Sequence, residues 1–388
     1  MSQIYEGSHV TLSATKSANA HEGCFVSPER GQTSEIFEFG NKIEGMYTIR
    51  CREYDSLNIR ESKTPLESRG WTLQERLLSK RIIHFMDQNL EWECNHRGRG
   101  NARASFFPPL LRFSLLCTQE HASRERIERY WKTIVSDFTR RSLTYPDDIF
   151  PALQGLAKLV PRTMGRYLAG LWENSLPTGL CWYASPCERL ADWRAPTWSW
   201  ASASGQVGWL LGADMVAQVT VVNVTVTPQG TDPTGPLSHG ELVIRGQCLI
   251  GTIVRYIVPW EYNGHHHDGD DVWIESTSIA KVLLDQTDDK GHDVTYSVHW
   301  DRIQRRERNA QVIVLQLGES DEKTPEDEEE ERKRGVVLKR RTALVLQAVQ
   351  AEERVYERLG LIQTHDGPHP WVELFYGTAA EEIELTII

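Results

Sequence analysis

The chain has no CxxC pair, no apolar run near the roughly 20 residues of a membrane span, and no secretory leader pattern at its start. Its seven cysteines, at 24, 51, 94, 117, 181, 187 and 248, are odd in number and scattered. Reduced thiols in the cytosol are the simplest reading. Also missing are G-x-S-x-G, H-E-x-x-H, a P-loop and a G-x-G-x-x-G after a strand, so the common hydrolase, zinc-protease and nucleotide signatures are out. A net charge of −11 argues against general binding to nucleic acid or anionic membranes.

What is present is an ordinary globular composition over 388 residues, 40% hydrophobic and 25% charged. That length suggests about two domains. Thirteen tryptophans are many, enough to fill a large core.

The densest local pattern runs over residues 69–94, RGWTLQERLLSKRIIHFMDQNLEWEC. It predicts a short amphipathic helix with Leu77 and Leu78 on its apolar side, then two strands at 81–86 and 90–94. Asp87, Gln88 and Asn89 suit the hairpin turn between them. Trp71 and Glu75 are one helical turn apart and share a face. Thr72 stands three residues before Glu75, the spacing of a capping box.

Upstream, residues 9–15, 36–39 and 46–51 read as strands, the last two separated by Gly40 and Gly45. Residues 95–110 read as a Gly-, Arg- and Pro-rich loop. The clearest helix is 125–143, where Ile127, Tyr130, Trp131, Ile134, Val135 and Phe138 form an unbroken apolar stripe. Pro146, Asp147 and Asp148 predict the start of another helix carrying Ile149, Leu153, Leu156 and Val160, stopped by Pro161. A third apolar helical segment is expected over 167–172, then a strand over 180–183. In PTWSWAS, Trp198 and Trp200 are expected on one face of a strand.

Beyond Gly212 the residues change character. Short β-branched runs at 215–226, 241–258, 272–274, 280–285, 312–317, 336–349, 356–362 and 371–375 stand between Gly, Pro and Asp turns, which predicts a β-rich region. Residues 319–334 hold nine acids, four bases and no apolar side chain, and read as a solvated loop.

Several of these patterns carry a resemblance. RGWTLQERLLSKR, an apolar strand and WEC are similar to a conserved block of the fungal heterokaryon-incompatibility (HET) domain, of the form R-x-W-T-x-Q-E-x-L-L-S-x-R followed by W-E-C. Its matching positions here are Arg69, Trp71, Thr72, Gln74, Glu75, Trp92, Glu93 and Cys94. MSQIY, an apolar strand and Gly23-Cys24-Phe25 resemble the segment before that block. Two earlier family blocks, L-S-Y-x-W-G and W-I-D-x-L-C-I-N-Q, do not occur, so the chain is expected to be an N-terminally truncated member. The run YWKTIVSDFTRRSLTYPDDIFPALQGLA and the RAPTWSWAS segment, with Trp198 and Trp200, resemble the region that follows the domain.

The resemblance implies an α+β chain: a partial TIR-like α/β HET domain over 1–95, a helical HET-associated segment over 96–205, and a β-rich region over 206–388 with the acidic loop 319–334. It implies a cytoplasmic protein of fungal non-self recognition and programmed cell death, working through a protein partner or self-association. As a truncated chain it is expected to be non-catalytic and to require no cofactor. Relatives among Toll/interleukin-receptor (TIR) domains cleave the nicotinamide–ribose bond of NAD with a glutamate in a similar setting. Glu75 fits that role by type and spacing, with NAD as substrate, its carboxylate steadying oxocarbenium charge. The competing reading makes Glu75 a partner in the helix cap. A further reading makes residues 206–388 a module for binding another protein.

Other clusters are weaker. Residues 265–268 (HHHD) with Asp270 and Asp271 lack a second ligand group, and no metal is expected. Cys94 is expected in the core beside an exposed His96, and Cys181 and Cys187 are too isolated for zinc. Arg97, Arg99 and Arg103, and the basic run 302–308, read as solvated surface rather than a nucleic-acid site.

Overall fold

A computed structural model describes residues 2–24, 34–41, 45–52, 64–86, 90–94, 117, 122–185, 190, 192–210, 215–255, 280–287, 293–297, 299–300, 311–320, 340–350, 354–365 and 380–388. The readings on residues 95–110, 265–271, 272–274, 302–308, 371–375, Cys187 and most of the acidic segment lie outside these. The chain is α+β and divides into two compact units. One holds Met1–Gln119 with Arg141–Thr144, the other Glu120–Arg140 with Tyr145–Ile388.

In the first unit, helix α1 (Ser2–Gly7) leads to β1 (Thr11–Ser13). Strands β2 (Ser34–Asn41) and β3 (Gly45–Arg52) form an antiparallel hairpin. Helix α2 (Gly70–Leu78) is followed by β4 (Arg81–Phe85) and β5 (Leu90–Cys94), as the periodicity predicts. β1 pairs parallel with β4, and β4 antiparallel with β5. Leu73, Leu77 and Leu78 of α2 and Ile82 of β4 are buried. The start of α2 is held by residues 141–144. The Gly70 amide donates to the Ser142 carbonyl (2.8 Å), and the Ser142 amide donates to the Ser68 carbonyl (2.6 Å). Orphan amides of a helix start need such acceptors.

The second unit begins with α3 (Arg124–Phe138). Ser123 caps it, its Oγ accepting from the Arg126 amide. Ile127, Trp131, Ile134, Val135 and Phe138 are buried, each contributing about 2 kcal/mol of apolar transfer. The helix stops five residues short of the predicted 143. The Thr139 hydroxyl donates to the Val135 carbonyl (2.9 Å) and accepts from the Val207 amide (2.9 Å).

The helix predicted from Pro146 is broken. Pro146–Ile149 makes one 3-10 turn, and an α-turn follows only at Gln154–Ala157. Pro151 lies between them, with no amide to donate and a ring that clashes with the preceding turn. Ile149, Leu153 and Leu156 are still buried.

The helix predicted over 167–172 is a hairpin. β6 (Tyr167–Leu168) and β7 (Leu171–Trp172) pair around Ala169 and Gly170, at φ 50° and 91°. Two successive positive φ values make the two-residue turn that suits strand twist. Six apolar residues in a row carry no period, so the turn is invisible in the pattern. The Gly170 carbonyl accepts from two indoles, Trp131 Nε1 at 2.8 Å and Trp200 Nε1 at 3.0 Å.

β8 (Trp182–Ser185) pairs with β9 (Gln206–Trp209). Between them Trp198 and Trp200 are fully buried, but on turns rather than a strand, with Trp200–Ser202 a 3-10 turn. The Trp182 indole donates to the Trp198 carbonyl (3.0 Å), and the Ser199 hydroxyl to the Ala169 carbonyl (2.6 Å). Those bonds hold the segment in a tight bend that strand spacing would not allow.

The β-rich region holds β10 (Val216–Ala217), β11 (Val219–Pro228), β12 (Leu237–Arg255), β13 (Ala280–Thr287), β14 (Asp293–Ser297), β15 (His299–Trp300), β16 (Gln311–Ser320), β17 (Arg340–Gln350), β18 (Val355–His365) and β19 (Glu381–Ile387). Strands β16, β17, β18, β19 and β12 pair in that order, and β12 pairs back to β16, closing a barrel. The long β12 makes closure possible. Residues 242–248 pair with β19, and residues 248–252 with β16. Ala343, Leu344, Val345 and Leu346 of β17 are all at 0% exposure, so this strand is covered on both faces.

A Cβ at Gly170 would stand 2.5 Å from Trp200 Nε1, at a φ that L side chains avoid. Gly170→Ala is expected to cost about 3 kcal/mol from strain and overpacking together. Urea unfolding followed by tryptophan fluorescence measures this, and an unchanged midpoint would contradict it.

Candidate functional site

The first unit places a connected set of polar side chains inside its core. Arg76 projects from α2, His84 from β4 and Glu93 from β5, with Thr15 on the chain after β1 and Glu67 on the 3-10 turn Leu66–Ser68. Glu93 is 4% exposed, His84 2% and Thr15 1%. Arg76 Nε lies 3.1 Å from both Glu93 oxygens, and Nη2 is 3.0 Å from Oε2. Arg76 Nη1 reaches Glu67 Oε1 at 3.1 Å, and the Thr64 hydroxyl donates to the other Glu67 oxygen at 3.0 Å. His84 Nε2 meets Glu93 Oε2 at 2.9 Å, and Nδ1 meets Thr15 Oγ1 at 3.0 Å.

Burial pushes the Glu93 carboxyl upward. Hydrogen bonds from His84 and Arg76, and the Arg76 charge, outweigh it and hold the group below the usual carboxylate range. An ionised carboxylate only accepts, so His84 Nε2 carries the proton in that bond.

Strand register explains how a glutamate comes to face inward. Ile82 pairs with Glu93 and His84 with Glu91, so Ile82, His84 and Glu93 share the face toward α2. The alternate residues turn outward. Leu90 is 60% exposed, Trp92 57%, and Cys94 is half-buried rather than core. In LEWEC the apolar residues therefore lie outside and the charge inside. The family motif includes Glu93, but nothing in the spacing singles out Arg76, His84, Thr15 or Glu67. The available signal was His84, two residues from Ile82 and so on its face.

A hydroxyl, an imidazole and a carboxylate in a row is the order that activates a hydroxyl nucleophile. Here the Thr15 hydroxyl is sealed from solvent, and Thr15 Oγ1 also lies 3.3 Å from the Ser13 carbonyl. The arrangement ties five chain segments together, from the residue after β1 to β5.

Trp71 and Glu75 both lie on α2, half-buried. The predicted capping box is not formed. Arg69 occupies the N-cap position, and Thr72 is inside the helix, its hydroxyl donating to the Leu66 (2.8 Å) and Arg69 (2.7 Å) carbonyls. Glu75 lies near enough to Tyr5 on α1 for its charge to act on the phenol. Burial, then the Glu75 charge and their hydrogen bond, push that phenol up to about 12. Gln74, beside it, is buried. Among the described residues no group of three or more His, Cys, Asp or Glu side chains forms a metal site, and no helix is long and apolar enough to cross a membrane.

Residues 1–75 match the family model described as heterokaryon incompatibility protein (HET). Residues 1–75 thus form a HET-domain segment. The match runs from α1 through Glu75, so it takes in Tyr5, Thr15, Glu67 and the first two turns of α2. No curated protein and no solved structure matches the chain.

The buried Glu93 of the first unit sets an acid dependence. Because the folded Glu93 carboxyl lies below its unfolded value, its contribution is full above about pH 4.3 and is lost as pH falls from there through the folded carboxyl's own, lower pKa. Glu93→Gln is expected to cost about 3 kcal/mol at neutral pH by leaving buried cationic donors without their carboxylate. The gap between wild type and variant should narrow on acidification. Urea midpoints measured from about pH 7 down to about pH 3 test the sign, and a gap that stays constant would remove Glu93 from the account.

Proposed function

We propose that this HET-domain chain is a fungal non-self recognition protein, acting in the cytoplasm to trigger programmed cell death through contact with a protein partner or another copy of itself. The observation that carries this reading is the family match over residues 1–75. The buried network supports a non-catalytic role. Its carboxylate is paired with Arg76 and hydrogen-bonded by His84, which suits a scaffold that holds its shape while other surfaces make contacts.

A second reading is favoured by one local arrangement, the Trp71–Glu75 pair on α2, whose spacing resembles that of TIR-like domains. In that reading Glu75 stabilises the oxocarbenium ion that forms as the nicotinamide–ribose bond of NAD breaks. NAD is then a substrate rather than a bound cofactor.

Induced expression of the full chain in a filamentous fungus separates the two. The first reading expects loss of hyphal viability with NAD levels unchanged, and no loss with Glu93→Gln. A chain that accumulates without affecting viability sinks it. NAD that falls with wild type and holds with Glu75→Gln would establish the second reading instead.

A further inference from the structure

We propose that the outer face of the β1–β4–β5 sheet is a docking surface for one amphipathic helix of another protein, apolar along one side and acidic near one end. The proposal deepens the partner contact of the first reading above and rests on it for its purpose, not for its geometry.

Strand register builds the face. Leu12 of β1 pairs with Ile83 of β4, and Ile83 pairs with Trp92 of β5, so these three form one row across the sheet. Phe85 and Leu90 pair beside them on the same side. Glu91 and Glu93 alternate to the opposite side, so the row carries no acid. Leu12 is 64% exposed, Leu90 60% and Trp92 57%. A lone exposed apolar residue is ordinary. Large ones that are neighbours across three strands make a contiguous patch, and such patches mark interaction sites. Trp92 is also a motif residue that the buried network leaves unused.

Shape and charge select the occupant. β1 and β4 run parallel, and parallel strands are as a rule covered on both faces. Helix α2 covers only one, where Leu73, Leu77, Leu78 and Ile82 are buried. Three strands spaced about 4.8 Å apart span about 10 Å, the diameter of one helix. The five residues of β4, at about 3.3 Å each, run about 16 Å, or about three helical turns. One helix would therefore complete the second layer. At one end of the face Lys80 is exposed, and Arg81 stands on the outer side opposite Cys94. Those cations call for acids on the incoming helix. A second copy of this chain fits less well, because each copy carries a net charge of −11.

Fluorescence anisotropy of a labelled synthetic peptide, titrated with the full chain, tests this. The peptide is a helix of about four turns with leucines at i, i+3, i+4 and i+7 and glutamates at one end. Wild type is expected to bind it, and Trp92→Ser and Leu12→Ser are each expected to weaken binding about tenfold. Both side chains are mostly exposed, so both variants should keep the wild-type urea midpoint. A twin peptide with lysines in place of the glutamates should bind more weakly. Equal affinity for wild type and both variants overturns the proposal, as does a wild type that binds neither peptide or binds the twin as tightly. Two other occupants would also overturn it. Sedimentation that finds wild type dimeric and Trp92→Ser monomeric makes the face a contact between copies. Binding to phosphatidylserine vesicles that is lost in Trp92→Ser makes it a lipid surface. Hyphal viability does not enter this readout. If expression leaves hyphae unharmed, the first reading fails, and the peptide titration still decides the face.

Discussion

A carboxylate sealed inside a small sheet sets the terms for the first unit. Glu93 cannot be left alone there, since a buried charge without a partner costs several kcal/mol. Arg76 and His84 must reach it, and Arg76 in turn recruits Glu67. Helix α2, strands β4 and β5 and the turn before α2 thereby acquire one mutual position. Such a pair adds little net stability compared with apolar packing, because desolvation offsets the attraction. Its effect is on register. A one-residue slip of β5 would turn Glu93 to solvent and bring Trp92 under α2, and the cationic donors would then oppose no carboxylate.

The second unit applies a similar logic with neutral groups and the buried cation of Arg358. The carbonyl of Gly170 is gripped by two indoles, which locks α3, the β6–β7 hairpin and the Trp198–Trp200 bend together. Arg358, on β18 and at 0% exposure, donates to the Leu180 carbonyl (2.6 Å) and to the Trp182 carbonyl, its guanidinium 3.7 Å from the Trp182 ring centroid. Carbonyl dipoles and a π face disperse its charge. The Thr197 hydroxyl accepts from the Arg358 amide at 2.9 Å and donates to the Ile388 carbonyl, so the bend also meets the end of β19. Many of the tryptophans act here as hydrogen-bond donors fixed in a core, beyond the apolar area they bury.

Long periodic elements were legible in the residues alone. The stripe of α3, the α2–β4–β5 order and most strands of the β-rich region follow from hydrophobic spacing. What escaped was decided at longer range. Barrel closure depends on β12 pairing with four different strands, and no local pattern encodes that. The 167–172 hairpin depends on two positive φ values, one of them at an alanine. Pro151 was present but outweighed by the apolar spacing around it. At the site, the motif pointed to Glu93 and Glu75 but not to their partners. Arg76 and His84 are ordinary residues until the fold brings them within 3 Å or so of a carboxylate.

The two motif glutamates end in opposite environments, and that contrast bears on mechanism. Glu93 is enclosed, held ionised by two cationic or proton-donating neighbours, and closed to any substrate. A carboxylate so stabilised is a poor proton acceptor and cannot follow developing charge. Glu75 is half-buried, near the Tyr5 phenol whose ionisation its charge opposes. If this chain performs glycosidic chemistry, the physical demands therefore select Glu75 and reject Glu93. If it performs none, the enclosure of Glu93 keeps its structural meaning, because that carboxylate fixes the register of the sheet.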